Sequence, residues 1–238
     1  MYVNNKYIKY NLNLMKLKIF ILFVIIALIY LQYQSINNFN NNIGNNLEIL
    51  QINNPNKEKF EETVNKKCIS IFTNITNELL NLQDICIEDL KNLNDADKKN
   101  FNSKLQEHYN YYSTPLCIKN EFNIKIENDK YHSNITFQSK NRLLMSQVVG
   151  TKKIYLFSPN QDQYLYINKN NKSDADFFNQ DLVKYPLLSK SKYIEIILRP
   201  GQMIYIPYQW LYCYENINDN AHIICNSESL FSYFLKSK

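Results

Sequence analysis

The chain has 238 residues, 45% of them hydrophobic, with 27 Lys and Arg against 22 Asp and Glu for a formal net charge of +5. That length holds one domain of roughly 150 to 200 residues plus an extension. The basic residues are scattered, with no arginine-rich block and no aromatic-basic interleaving, so no nucleic acid partner is expected. The five cysteines, Cys68, Cys86, Cys117, Cys213 and Cys225, show no C-x-x-C spacing, which argues against zinc. In an oxidising compartment they would allow one or two disulfides and leave at least one thiol over.

At the N-terminus Ile19 to Leu31 is uncharged and follows Lys6, Lys9, Lys16 and Lys18, and the next charge is Glu48. The run is shorter than the ~20 residues that span a bilayer, but Tyr30 and Tyr33 suit an interface. Three readings compete: an uncleaved signal anchor over residues 19–34, a cleaved signal peptide and a buried helix. The anchor is favoured because a cleavage site wants small residues, and Tyr30-Leu-Gln-Tyr-Gln34 supplies none. Residues 1–18 would then be cytosolic and the rest lumenal or extracellular by the positive-inside rule. Three glycosylation acceptors, Asn74-Ile-Thr, Asn134-Ile-Thr and Asn171-Lys-Ser, agree with that side.

Residues 35–46 are polar and asparagine-rich and read as a linker, followed by a domain over 47–238. Leu47–Ile52 and Cys68–Phe72 are strand-like and flank a brief helix at Lys57–Val64. Between Glu78 and Tyr112 the leucine and isoleucine spacing, then an Asn-Asp cap and charged residues, predict two helices. From Thr114 onward short β runs recur at 116–118, 122–126, 133–137, 143–149, 153–157, 164–167, 193–198, 203–206, 211–214 and 222–225. Such runs divided by Asn, Asp, Gly and Pro turns predict an antiparallel barrel or jelly roll. The expected class is mainly β, α+β overall, with N-terminal helices and one membrane helix ahead of them.

The stretch from Leu198 to Glu215, LRPGQMIYIPYQWLYCYE, turns at Pro200-Gly201 into the apolar run Met203–Ile206 and then an aromatic corner. It resembles L-x-PGD-x-L-x-IP-x-x-WWH-x-V-E of the cupin-like JmjC family, the asparaginyl hydroxylase branch included. Leu143 to Tyr166 and Ser173 to Leu188 are similar to two further blocks of that family, in the same order. The resemblance implies a double-stranded β-helix and, in active members, iron(II) held by a His-x-Asp pair and a later His, with 2-oxoglutarate as cosubstrate. Counted without a gap from Gly150 and Pro207, those ligand positions fall on Phe137, Ser139 and Tyr212. A phenyl ring offers no lone pair, and a serine hydroxyl is a poor ligand beside a carboxylate.

By the same resemblance Lys152 corresponds to the lysine that pairs with the far carboxylate of 2-oxoglutarate, and Asn226 to a late-strand asparagine near the cosubstrate. Strand alternation admits only one of Lys152 and Lys153 inward. A His132-x-Asn134 pair could take the metal position only through a five-residue slip. His108 and His222 fit no ligand spacing and read as surface or strand histidines. Trp210 matches the first of the family's paired tryptophans. The leading expectation is a membrane-anchored pseudoenzyme that holds a small carboxylate or a protein partner, with no metal. An active Fe(II)/2-oxoglutarate oxygenase with displaced ligands and a purely structural surface module are the alternatives.

Overall fold

A computed structural model describes residues 14–31, 33, 48–74, 88, 95–114 and 117–229. The expected linker, Cys86 and the leucine-rich segment 78–94, apart from helical Glu88, lie outside the described residues. The chain divides into two compact units, residues 1–42 and 43–238. In the first, helix α1 runs Leu14–Leu31, 18 residues with none of them buried, long and apolar enough to cross a membrane. It starts five residues before the apolar run, so Lys16 and Lys18 lie on its first turns. A helical lysine near a membrane boundary extends its stem toward water, so this start is compatible with a span.

Among its described residues the second unit carries ten strands and two bounded α-helices, besides the helical Glu88. The strands are β1 (Ile49–Asn53), β2 (Ile69–Thr73), β3 (Cys117–Glu127), β4 (Thr136–Phe137), β5 (Arg142–Val149), β6 (Lys152–Phe157), β7 (Ile194–Leu198), β8 (Met203–Pro207), β9 (Leu211–Asn216) and β10 (Asn220–Ser229). Helix α2 spans Lys57–Asn65 and α3 spans Asp95–Tyr111. The strands form a six-stranded sheet in the order β1-β2-β8-β5-β10-β3 and a four-stranded sheet in the order β4-β9-β6-β7. Two facing sheets of this order are consistent with the expected jelly roll. No closed barrel ladder joins them among the described residues.

Two expectations change, and one pairing is new. The β1 and β2 strands pair in parallel, Ile49 to Ile69 through Asn53 to Thr73, because α2 provides the crossover that parallel neighbours need. The run expected at 122–126 and the described part of the run expected at 116–118 fall in one strand, β3. The run 164–167 is not a strand: Pro159–Tyr164 forms a 3-10 helix, which Pro159 starts at its first turn, and only Ile167 makes a bridge, to Ser173.

Apolar side chains bury in three layers. Alternation sends Leu143, Met145, Ile154, Leu156, Ile204, Ile206, Tyr212, Tyr214 and Ile224 between the sheets. The opposite face of the larger sheet, including Leu144, Tyr205, Ile223 and Cys225, packs under Phe60 and Val64 of α2 and Leu105 and Tyr109 of α3. Outside the smaller sheet Tyr155, Phe157, Leu211 and Cys213 pack against Leu165, Phe177 and Leu188 of the 158–191 segment. Helix α2 is held at its start by Asn56, whose side chain accepts from the Lys59 amide at 2.8 Å. Its Glu61 takes a two-pronged contact from buried Arg142 of β5, at 3.0 and 2.9 Å. Arg142 also donates to the Tyr112 and Ser113 carbonyls that end α3, so one guanidinium ties both helices to the sheet.

Cys68, Cys117, Cys213 and Cys225 are free thiols. Burial pushes Cys225 up to about 12 and Cys213 well above its ordinary value, which keeps both thiols protonated. Asn74, Asn134 and Asn171 are all exposed.

Candidate functional site

Strand β6 begins at Lys152, and its alternation resolves the choice between the two lysines. Lys153 points outward to Glu195 at 3.4 Å and Glu215 at 3.8 Å. Lys152 points between the sheets and is completely buried. Its Nζ shares a 2.8 Å hydrogen bond with His222 Nδ1 and lies 3.8 Å from the centre of the Tyr214 ring. The Tyr214 hydroxyl donates to Glu127 Oε1 at 3.0 Å and accepts from Lys125 Nζ at 3.4 Å. Asn216 donates to Glu127 Oε2 at 3.4 Å, and that oxygen lies 3.9 Å from His222 Nδ1. The chain thus supplies its own carboxylate, Glu127, to the lysine end of the interior.

Electrostatics follow from that enclosure. Loss of water pushes the Lys152 amine down to about 6, and Glu127 opposes the drop only in part. His222 is held neutral, its value driven far down first by burial and then by the positive field of Lys152 and Lys125. Burial also raises the Tyr214 hydroxyl far above the usual phenol range, with the Glu127 carboxylate adding to it. Sequence reading missed Glu127 and His222 as members of this cluster. The signal available was that a buried lysine requires a carboxylate, and the alternation Glu121, Asn123, Lys125, Glu127 offers one on a single face of β3.

Toward the other end of the same interior lies Tyr212. Lys152 pairs with Asn216 and Leu156 with Tyr212, so Tyr212 sits four residues along, roughly 13 Å at strand rise. Its phenol packs among apolar side chains, and burial pushes it up to about 12. Between the two levels the layer is filled by Ile154, Tyr214 and Ile224. Asn226 also faces inward, in register with Leu143, but four residues beyond His222, so its amide is away from Lys152. Its Oδ1 is buried with no hydrogen-bond partner.

Phe137 departs from the expected placement. It pairs with Leu211 and packs with that residue in the layer outside the smaller sheet, edge-on to Tyr208. Thr136, opposite Tyr212, is the inward residue of β4. Ser139 lies half-buried between β4 and β5. His132 is also outside: its ring stacks near Phe178 and its Nε2 lies 3.8 Å from Asp176, with the side chain 37% exposed. Asn134 is exposed. The slipped pair therefore does not reach the interior. His108 is no surface residue: it is buried on α3 against Tyr109 and Tyr112, its value down to about 4 by desolvation. His222 is a strand histidine, as read.

The donor set does not fit an iron ion. A facial triad needs two imidazoles and a carboxylate on one open face. Among the described residues no three His, Cys, Asp or Glu side chains gather where one ion could hold them. The inward positions there are a threonine hydroxyl and a protonated phenol.

The two facing sheets are consistent with a cupin-type domain. Residues 53–227 match the cupin-like domain family, and the chain belongs to that family. It is 41% identical over 69 residues to human tRNA wybutosine-synthesizing protein 5, covering 29% of this chain and 22% of that protein. It is 39% identical over 80 residues to lysine-specific demethylase 8 of Danio rerio, covering 32% and 20%. With JmjC domain-containing protein D of Dictyostelium discoideum it shares 43% over 68 residues, 26% and 15% of the two chains. The chain spans about a fifth of the length of these curated relatives. JmjC relatives as a class use Fe(II) and 2-oxoglutarate.

Proposed function

We propose that this chain is a membrane-anchored, non-catalytic cupin-like module that acts by binding a protein partner at its surface. The observation that carries the reading is the filled layer of Ile154, Tyr214 and Ile224 between Lys152 and Tyr212. In the resemblance a dicarboxylate bridges those two levels. Here the Tyr214 ring covers the Lys152 amine, Glu127 supplies a carboxylate field at that end, and a buried phenol stands in place of the distal histidine. The test is the iron and zinc content of the purified chain together with 2-oxoglutarate consumption. Less than a tenth of an equivalent of metal and no consumption above a heat-treated control are expected; stoichiometric metal with turnover overturns the reading.

A second reading, an active 2-oxoglutarate oxygenase, is supported by the inward Lys152 and by relatives named for tRNA modification and lysine demethylation. It requires Tyr214 to swing off the ammonium so that a carboxylate can enter, at the cost of leaving the Glu127 carboxylate without its best donor. The consumption measurement separates the two.

Anchoring carries its own test. Each charge taken to the bilayer centre costs about 2.5 to 3.5 kcal/mol on insertion scales, so the lysine-bearing end stays cytosolic and the cupin-like unit is lumenal or extracellular. Expressed in a eukaryotic host, the chain resists carbonate extraction and loses mass on glycosidase treatment at exposed Asn74, Asn134 or Asn171. A soluble, unglycosylated product with an intact N-terminus contradicts this.

A further inference from the structure

We infer that β3 pairs antiparallel with β3 of a second copy of this chain, about a two-fold axis at Asn123. Strand β3 is the last strand of the six-stranded sheet, and among the described residues only β10 pairs with it. It is also the longest strand among the described residues, 11 residues. A long edge strand offers a row of backbone donors and acceptors, and proteins usually protect it with charge. The charges here are patterned differently, as Lys119, Glu121, Lys125 and Glu127 symmetrically about Asn123.

Identical antiparallel strands related by a two-fold axis must present the same faces together, so the axis falls on a residue and each position n before it meets the position n after it. Centred on Asn123, Lys119 meets Glu127 and Glu121 meets Lys125, each twice. Centred one residue earlier, on Phe122, Lys119 meets Lys125. Centred one residue later, on Ile124, Glu121 meets Glu127. The sequence thus favours one register and sets like charges against both neighbours, the device by which paired strands fix alignment. The other face agrees. In the same register Phe122 meets Ile124 and Asn120 meets Ile126, and these three apolar residues already pack on the layer beneath the helices. Pairing would carry that layer across the axis.

Lys119 and Glu121 are exposed enough to turn toward a partner, and Lys125 is held only by a 3.4 Å bond to the Tyr214 hydroxyl. Lys119 and Glu121 contact each other at 2.5 Å with 54% and 47% of their side chains exposed. Glu127 keeps its Tyr214 bond from inside the sandwich. The opposite sheet's edge strand β7, Ile194–Leu198, has one charge, Glu195, and encodes no register. The pairing does not depend on whether the interior is catalytic.

The test uses the full chain in detergent. Asn123→Cys places two thiols across the axis, within the Cα separation a disulfide accepts. Mild oxidation is expected to convert most of it to a reducible band of twice the mass, well above the parent chain with its own cysteines. Ile118→Cys should remain at the parent level, because its partner copy lies roughly 33 Å away along the strand. Glu121→Lys and Lys125→Glu should each lower dimer recovered by chemical cross-linking at least several-fold, and the double variant should restore it. Circular dichroism on each variant separates loss of fold from loss of pairing, and a single variant that unfolds leaves the cysteine pair to decide. A parent chain that is monomeric at all concentrations, or Asn123→Cys that cross-links no faster than Ile118→Cys, overturns the inference.

Discussion

Gly150→Ala is expected to destabilise the cupin-like unit by about 3 kcal/mol or more, enough to leave a marginal domain largely unfolded. Gly150 turns β5 into β6 with φ of +74°, a conformation costing an alanine about 1 to 2 kcal/mol. Sterics add to this, since a Cβ there would stand 2.1 Å from the Asp219 carbonyl oxygen and 2.7 Å from Asn218 Oδ1. The neighbours cannot retreat cheaply. Thr151 donates to Asn218 Oδ1 at 2.7 Å, Ile217 donates to the Thr151 carbonyl at 2.9 Å, and Asp219 accepts from the Asp129 amide at 3.2 Å. Three turns are laced together at the end of the sandwich that holds Lys152. Urea unfolding followed by near-ultraviolet circular dichroism measures the effect, and a loss below about 1 kcal/mol would show that the turns separate easily.

Gly150 also explains why part of the fold was legible. It anchored the resemblance in the sequence, and the structure gives it a steric reason to be there. Most strands were readable because β-favouring runs end at residues that cannot extend them, as Pro159 does when it opens a 3-10 helix after β6. The parallel β1–β2 pair was not readable, since strand direction depends on where α2 lies and not on the strands' own residues.

At the site, alternation limited the inward lysine to one of Lys152 and Lys153 and the resemblance named Lys152, whereas Phe137 was placed by counting alone. Counting from Gly150 assigns a number but not a face, and β4 is only two residues long, so its register comes from β9. Glu127 and Asn220 face each other in the β3–β10 ladder, and Lys152 and Asn216 in β6–β9. That polar end is assembled from strands far apart in sequence. No local pattern announces it.

Lys152→Met is expected to change how stability depends on pH. The amine is depressed to about 6 in the fold and returns to ~10.4 in the unfolded chain. Between those values the unfolded chain binds one more proton than the folded one, so the parent gains stability as pH rises across that window. Below about pH 6 the full cost of enclosing the ammonium is present. His222 has the same sign, but its window lies below its ordinary value of 6.5. The tyrosines facing the cluster, Tyr214 and Tyr131, are raised, so they withdraw stability only as pH passes about 10. Methionine matches the lysine stem in length and has no proton to exchange. The stability advantage of Lys152→Met over the parent should therefore shrink by about 1.4 kcal/mol per pH unit, close to 3 kcal/mol between pH 7 and pH 9. Denaturant unfolding of both chains at those two pH values measures it. A difference independent of pH would mean that the ammonium stays charged inside the fold, with Glu127 and the Tyr214 ring outweighing the loss of water.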